Sequence, residues 1–414
     1  MKPGNKVRTH LFLASYPASR GEITLALRVA YDLHEQGDRI VFLICESDSK
    51  IFSGKPFEVV IIDSLMPLDN HLTNLVKSYD ADSLILVDLL SNSLWLLYLN
   101  DGKWFFEQKL VPVLALDIHD IAYQKLFADP FFDRKWDLSY LSSVPKARIL
   151  PVPLISPTQP DVYNSLPSPI EVTEQQKTQI REELGISESQ KVILMVSASW
   201  QSVMAWGDVN GKKSAIWLPN LITYYASQVD PNVRVVHIGP QRFNLHKNLE
   251  GRYIYLDQVD QQRFHAILAS ADMFLTANVI GTTLSSVLNI GIPTVVIKNS
   301  VRARLVEDAL AQMNAKPSDE LLRWLNVSMP VYPFQAWPLG YHNLISRLLV
   351  NNPFTETFLQ VELLQEEAVI EACRKMLFDK NARNTILAKQ KSYTEIVQSL
   401  PRGADLINQH LAKL

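Results

Sequence analysis

Four stretches of the sequence carry side chains whose types and spacing suit chemistry on a small phosphorylated molecule. The first is Ala271-Asp-Met-Phe-Leu-Thr-Ala-Asn-Val-Ile-Gly281-Thr-Thr-Leu-Ser-Ser-Val-Leu-Asn-Ile-Gly291-Ile-Pro-Thr-Val-Val-Ile297, which spells strand, glycine turn, short helix, glycine stop and strand. Gly281 lets backbone approach a ligand closely. Thr282 and Thr283 open a helix of about two turns, which Gly291 and Pro293 end. Ser286, one turn beyond Thr282, faces the same way. Free amides and the helix dipole at such a start favour phosphate. An ordinary ligand-free α/β connection fits the same spacing.

The second stretch is Arg20-Gly21-Glu22, placed just after the first apolar run. A partly desolvated Glu22 beside a hydroxyl would serve as general base, or it would simply stabilise the helix dipole from the first turn. Leu116-Asp117-Ile-His119-Asp120 ends another apolar run. There His119 is a candidate base with Asp117 as orienting carboxylate, against the alternative of a polar loop with capping aspartates. Asp88 likewise follows a strand. The fourth stretch, His237-Ile-Gly239-Pro-Gln-Arg242, offers Arg242 to a pyrophosphate. Trp200, Trp206 and Trp217 are read as a loop set that either stacks on a sugar or apolar acceptor or packs into the core. Asp80-Ala-Asp82 precedes its strand and is read as a solvated turn, and no His/Cys cluster has metal spacing.

These residues need elements to position them. His10 to Ala14, Arg39 to Cys45, Phe57 to Ile62, Ser83 to Val87 and Val111 to Leu116 are strand candidates, the last three read as buried. Helices are expected over Gly21 to Gln36, with Ile23, Ala26, Leu27, Ala30 and Leu33 on one face, around His71 to Lys77 and over Ser91 to Leu99. Pro151, Pro153, Pro157, Pro160, Pro167 and Pro169 disfavour both helix and central strand. The alternation then restarts: helix Thr173 to Leu184, strand Val192 to Val196, helix Pro219 to Ser227, strands Val233 to Ile238 and Tyr253 to Leu256, and helix Gln261 to Ser270. The pattern predicts an α/β chain of two doubly wound, Rossmann-like domains, 1–155 and 173–360, joined by a linker over 156–172. A helical tail occupies 361–414, with one helix over Ala382 to Ser399 and a short one after Pro401-Arg-Gly403.

The 414 residues carry a net charge of −3, too little positive charge for a nucleic-acid binder. Only Cys45 and Cys373 occur, so a disulfide framework is not expected and a reducing, cytoplasmic setting is. No apolar run is long enough for a signal peptide or a membrane span.

Three features resemble the GT-B class of glycosyltransferases, in particular the GlcNAc transferase that completes peptidoglycan lipid precursors and the plant and bacterial glucosyltransferases of small molecules. They are Leu11-Phe-Leu-Ala-Ser-Tyr-Pro-Ala-Ser-Arg-Gly-Glu-Ile-Thr-Leu-Ala26 with Leu33 and Gly37, the block Ala271 to Ile297, and the helical tail. The resemblance implies two domains facing a cleft, an acceptor domain first and a donor domain second, with the tail crossing back onto the first. It implies metal-independent transfer of a sugar from a nucleotide-diphosphate sugar, as co-substrate and without a resident cofactor, to a small-molecule, peptide or lipid-linked acceptor. Gly281, Thr282, Thr283, Ser286, Arg242 and Gln258 would then hold the donor. Arg20, Gly21 and Trp200 would meet the acceptor, and Glu22 or His119 would deprotonate it.

The sequence departs from that pattern in three places. Ser286 stands where the class has a ribose-clasping Glu, Lys298-Asn-Ser-Val-Arg302-Ala-Arg304 where it has an acid–Gln pair, and Glu22 where inverting members often have a His. A catalytically silent binding protein and a sugar-nucleotide epimerase or hydrolase are therefore the alternatives. The block Tyr332-Pro-Phe-Gln-Ala-Trp-Pro-Leu-Gly-Tyr341 belongs to no part of the pattern.

Overall fold

The structure is a computed structural model that describes residues 7–14, 20–62, 68–94, 103–120, 126–128, 135–137, 139–167, 171–202, 209–257, 259–303, 305–313, 316–329, 334–335 and 342–414. Its contacts divide the chain into two units. The first gathers the described residues up to 128, those of 135–166, and Ile396–Leu414; the second takes Pro167–Glu395.

In the first unit, strands β1 (Thr9–Ala14), β2 (Arg39–Ile44), β3 (Glu58–Ile61), β4 (Ser83–Leu86), β5 (Val113–Leu116), β6 (Ala147–Pro151) and β7 (Val162–Tyr163) form one parallel sheet. Their spatial order is β3-β2-β1-β4-β5-β6-β7. Leu11, Phe12, Leu13 and Ala14 are fully buried, as expected for a central strand covered on both faces. The expected helix forms as Arg20–Glu35, and the face Ile23, Ala26, Leu27, Ala30 and Leu33 lies in the core. One strand differs from expectation: β3 ends the sheet, and Ile61 is 44% exposed, because an edge strand is only half covered. Val162–Tyr163, inside the proline-rich passage, is itself a strand of this sheet.

The second unit repeats the plan. Strands β8 (Lys191–Val196), β9 (Val233–Ile238), β10 (Tyr253–Leu256), β11 (Met273–Thr276), β12 (Thr294–Lys298) and β13 (Leu359–Glu362) lie parallel in the order β10-β9-β8-β11-β12-β13. Thr173 caps helix Glu174–Glu183 in a reciprocal capping box with Gln176. The helix expected to begin at Pro219 runs instead over Val209–Ser227 with Pro219 inside it. Proline disfavours a helix interior, but Leu221, Ile222 and Tyr225 anchor the segment in the second core, and that packing overrides local propensity. Trp217 therefore lies on this helix rather than in a loop.

The tail divides between the units. Leu359–Glu362 is a strand, and helix Glu366–Phe378 buries Val369, Cys373, Met376 and Leu377 in the second core. Helix Lys380–Gln398 carries the chain onward, and from Ile396 it belongs to the first unit. There helix Gly403–Leu411 buries Ala404, Leu406 and Ile407, each large side chain contributing about 1.5–3 kcal/mol. Asn164 N donates to Pro401 O at 3.0 Å and Arg8 Nη1 to Asn408 Oδ1 at 2.7 Å, fixing its approach. Both cysteines are buried and neither forms a disulfide, and no described helix is long and apolar enough to cross a membrane.

Candidate functional site

In an open parallel sheet, ligands gather beyond the carboxyl ends of the strands. At that edge of the first unit stand Glu22, in the first turn of the helix after β1, Asp88 after β4 and His119 after β5. Asp88 is fully buried, and its carboxylate accepts from Leu90 N at 3.2 Å. His119 is 8% exposed, with Nδ1 3.8 Å from Asp88 Oδ1, an ion-pair distance.

Burial raises the Glu22 carboxyl to a pKa of about 7, and the Asp88 charge adds to the rise. Burial opposes charge on His119. Asp88, Glu22 and Asp117 outweigh it, so its pKa is raised above the ordinary imidazole value. Glu22 and His119 therefore sense each other's charge.

The carboxylate paired with His119 is that of Asp88. Arg148 Nη1 donates to Asp117 Oδ2 at 3.1 Å and to Asp120 Oδ1 at 2.9 Å, making that pair of aspartates part of a buried structural ion network. Only the position of Asp88 after a strand pointed to it in the sequence. Gly21 is half-buried beside Glu22; the Arg20 side chain, Gln258, Trp206 and Arg304 lie outside the described residues, as does the Tyr332–Tyr341 block apart from Phe334–Gln335, which pairs with Arg302–Ala303. Asp82 Oδ2 accepts from Thr9 N at 2.9 Å and Asp80 lies in an exposed turn, so that pair braces the amino end of β4.

In the second unit the strand–turn–helix block forms as expected. Thr276 Oγ1 accepts from Asn278 N at 2.9 Å, and Asn278 Oδ1 accepts from Ile280 N at 3.2 Å, so side chains lock the turn after β11. Helix Thr282–Ile290 follows, with Gly281 as a cap lacking any side-chain bond. Among the described residues no protein acceptor meets the amides of Thr282 or Thr283, the orphan donors that bind anions. Gly281 has φ −69°, so it contributes no special backbone conformation; Gly291 does, with φ 77° at the helix stop.

Thr282, Thr283 and Ser286 are half-buried at this helix start. The exposed Arg242, in the loop after β9, lies over the Tyr253 ring at 5.6 Å. Lys298, in the basic run, pairs with Glu362 at 3.3 Å. Trp200 lies in the turn Ser199–Gln201 and packs, half-buried, against the second core. Among the described residues no three His, Cys, Asp or Glu side chains converge as metal ligands.

A family of unknown function, DUF6365, matches residues 29–414. The chain belongs to this family. No curated protein matches the DUF6365 chain in sequence. Among solved structures it is similar to the spinosyn rhamnosyltransferase SpnG, at 12% identity and a TM-score of 0.56, over 97% of this chain and 99% of that one. It is also similar to Alr3699/HepE of Anabaena, solved with UDP and glucose, at 11% identity and a TM-score of 0.57 over 98% and 100%. A third likeness is to a Listeria monocytogenes protein described as a UDP-N-acetylglucosamine 2-epimerase, at 11% identity and a TM-score of 0.51 over 92% and 91%. The DUF6365 chain therefore has the fold of the GT-B glycosyltransferases.

Proposed function

We propose that this DUF6365 protein transfers a sugar from a nucleotide-diphosphate sugar to an acceptor hydroxyl, with no resident cofactor. The amides of Thr282 and Thr283 and the guanidinium of Arg242 would hold the diphosphate and stabilise the charge it gains on departure. Glu22 would remove the acceptor proton, with the Asp88–His119 pair setting its charge state. Gly21 would let the acceptor lie close to the first helix. The observation that carries the reading is Glu22, a carboxyl whose pKa of about 7 suits proton removal at neutral pH, at the ligand edge of its sheet. The fold supports it too, because HepE, which shares it, was solved with UDP and glucose.

Calorimetry with a panel of nucleoside diphosphates tests the donor half, and release of free diphosphate from nucleotide sugars tests turnover. Gly281→Asp supplies a favourable helix cap in a backbone conformation open to any residue, but sets a carboxylate against the phosphate. It is expected to keep the fold and lose diphosphate binding. Failure of every diphosphate to bind the natural protein overturns the proposal. Ser286, in place of a ribose-clasping Glu, favours the silent binding protein as second reading; binding without turnover of any nucleotide sugar would establish it.

A further inference from the structure

We propose that Tyr253 and His237 are positioning residues that fix the Ser197 hydroxyl as a hydrogen-bond donor, making the cavity beside it a subsite for an oxyanion. The inference rests on the donor reading above for the kind of ligand, whereas the direction of the hydroxyl follows from the ring alone. Beyond β8, Ser197 N donates to Ile238 O at 3.0 Å, which brings the serine against His237 near the end of β9. A cavity of about 50 Å³ is lined there by Ser197, Gln201, Leu218, Phe243, Leu275 and Thr276.

The protons can be counted one by one. Phe243 N–H donates to the Tyr253 hydroxyl oxygen at 3.3 Å. The proposed relay gives that oxygen's own hydrogen to His237 Nδ1, 2.6 Å away. His237 is fully buried and stacked on Phe243 at 3.6 Å, and burial pushes its pKa down to about 3, so the ring is neutral and has one N–H. With Nδ1 accepting, that N–H is on Nε2, which donates to Ser197 Oγ at 2.8 Å. Ser197 Oγ has then accepted, and its hydrogen finds no second protein partner among the described residues. It is left to the cavity.

Gln201 behaves alike. Its Oε1 accepts from Ala198 N at 2.8 Å, which turns its amide NH₂ outward. Ser197, Gln201 and Arg242 line one adjoining depression. Each presents a donor, and a group that only accepts, such as a phosphate oxygen, satisfies all three. Gly239 leaves room for the relay, because a Cβ there would overlap the Ser197 hydroxyl and come within 2.9 Å of His237 Nε2.

The test begins on the unliganded natural protein, with ¹⁵N-histidine NMR at neutral pH. A bare Nδ1 and a protonated Nε2 on His237 are expected; the opposite tautomer overturns the relay. Inorganic pyrophosphate is then titrated by calorimetry into the natural protein, Ser197→Ala, Tyr253→Phe and the double variant. Loss of a hydrogen bond to a charged group weakens binding by roughly tenfold or more for Ser197→Ala, and Tyr253→Phe is expected to weaken it less. The double variant should be no weaker than Ser197→Ala, because the tyrosine acts only through the serine. Additive losses, unchanged affinity in Ser197→Ala, or no pyrophosphate binding to the natural protein each overturn the proposal. Pyrophosphate binding without binding of any nucleoside diphosphate would leave this inference standing while the proposed function fell.

Discussion

Replacing Glu22 by Gln should make the protein more stable and less active, and the stability gain should depend on pH in one direction. The Glu22 carboxyl rises from 4.5 to about 7 on folding. A carboxyl with the higher pKa in the folded state takes up a proton on folding. Its unfavourable contribution is absent below about pH 4.5, grows as the pH climbs between the two values, and is complete above about 7. At roughly 1.4 kcal/mol per pKa unit the full penalty is about 3 kcal/mol; water reaching the half-buried carboxyl brings it to roughly 1–3 kcal/mol. Gln carries no charge and escapes it.

Thermal unfolding of both proteins from pH 4 to pH 8.5 is the assay. At pH 4 the two should melt together, because both side chains are neutral. At pH 8 the variant should melt higher by about 2–4 °C per kcal/mol for a unit of this size. Turnover, if Glu22 is the base, should fall by roughly 10²–10⁴-fold while diphosphate affinity is unchanged. Equal melting temperatures at all pH values, or a gain largest at pH 4, would refute the burial of this carboxyl. An unaffected turnover would remove it as the base.

Three further outcomes follow from other contacts. Asp88→Asn removes the ion pair at 3.8 Å and should lower the His119 pKa, read by NMR titration, while shifting the pH dependence of turnover. Arg148→Met leaves the buried Asp117 and Asp120 without the arginine they share and should destabilise the protein by roughly 3 kcal/mol in denaturant unfolding; no loss would mean that water already solvates them. Gly403→Ala places a Cβ 2.7 Å from Val29 Cγ2 and 3.1 Å from the Tyr163 ring, and should destabilise the first unit by about 1–3 kcal/mol, visible as faster proteolysis of the C-terminal helix.

The sequence made the sheets legible because their central strands are short, uninterrupted apolar runs. Leu11 to Ala14 and Met273 to Thr276 could be little else, and Gly291 marked a helix end that its positive φ requires. What escaped was information carried by packing. The edge position of β3 is a matter of which strands neighbour it. Pro219 sits inside a helix because the second core holds the flanking residues. The candidate site was legible as positions but not as pairings. His119 stood beside Asp117 in the sequence, yet Arg148 arrives from β6 to claim that carboxylate, and Asp88 arrives from β4. Nothing local in the sequence encodes either meeting.

The two sheets share the order of their first six strands but differ in the chemistry of their ligand edges. The first edge collects acids: Glu22 and Asp88 around His119, with Asp117 and Asp120 balanced by Arg148. An edge of that kind holds protons near neutral pH and repels anions, which suits a neutral hydroxyl compound. The second edge collects donors, namely the amides of Thr282 and Thr283, the hydroxyl of Ser197, the amide of Gln201 and the guanidinium of Arg242. Such an edge suits the anion of the proposed donor. A reaction that joins an uncharged nucleophile to a group leaving with a phosphate needs both kinds of surface and gains nothing by mixing them, since a carboxylate beside the phosphate would weaken its binding and a guanidinium beside Glu22 would lower the pKa on which proton removal depends. On that ground, Glu22→Gln and Gly281→Asp should damage different steps, the first turnover alone and the second binding alone.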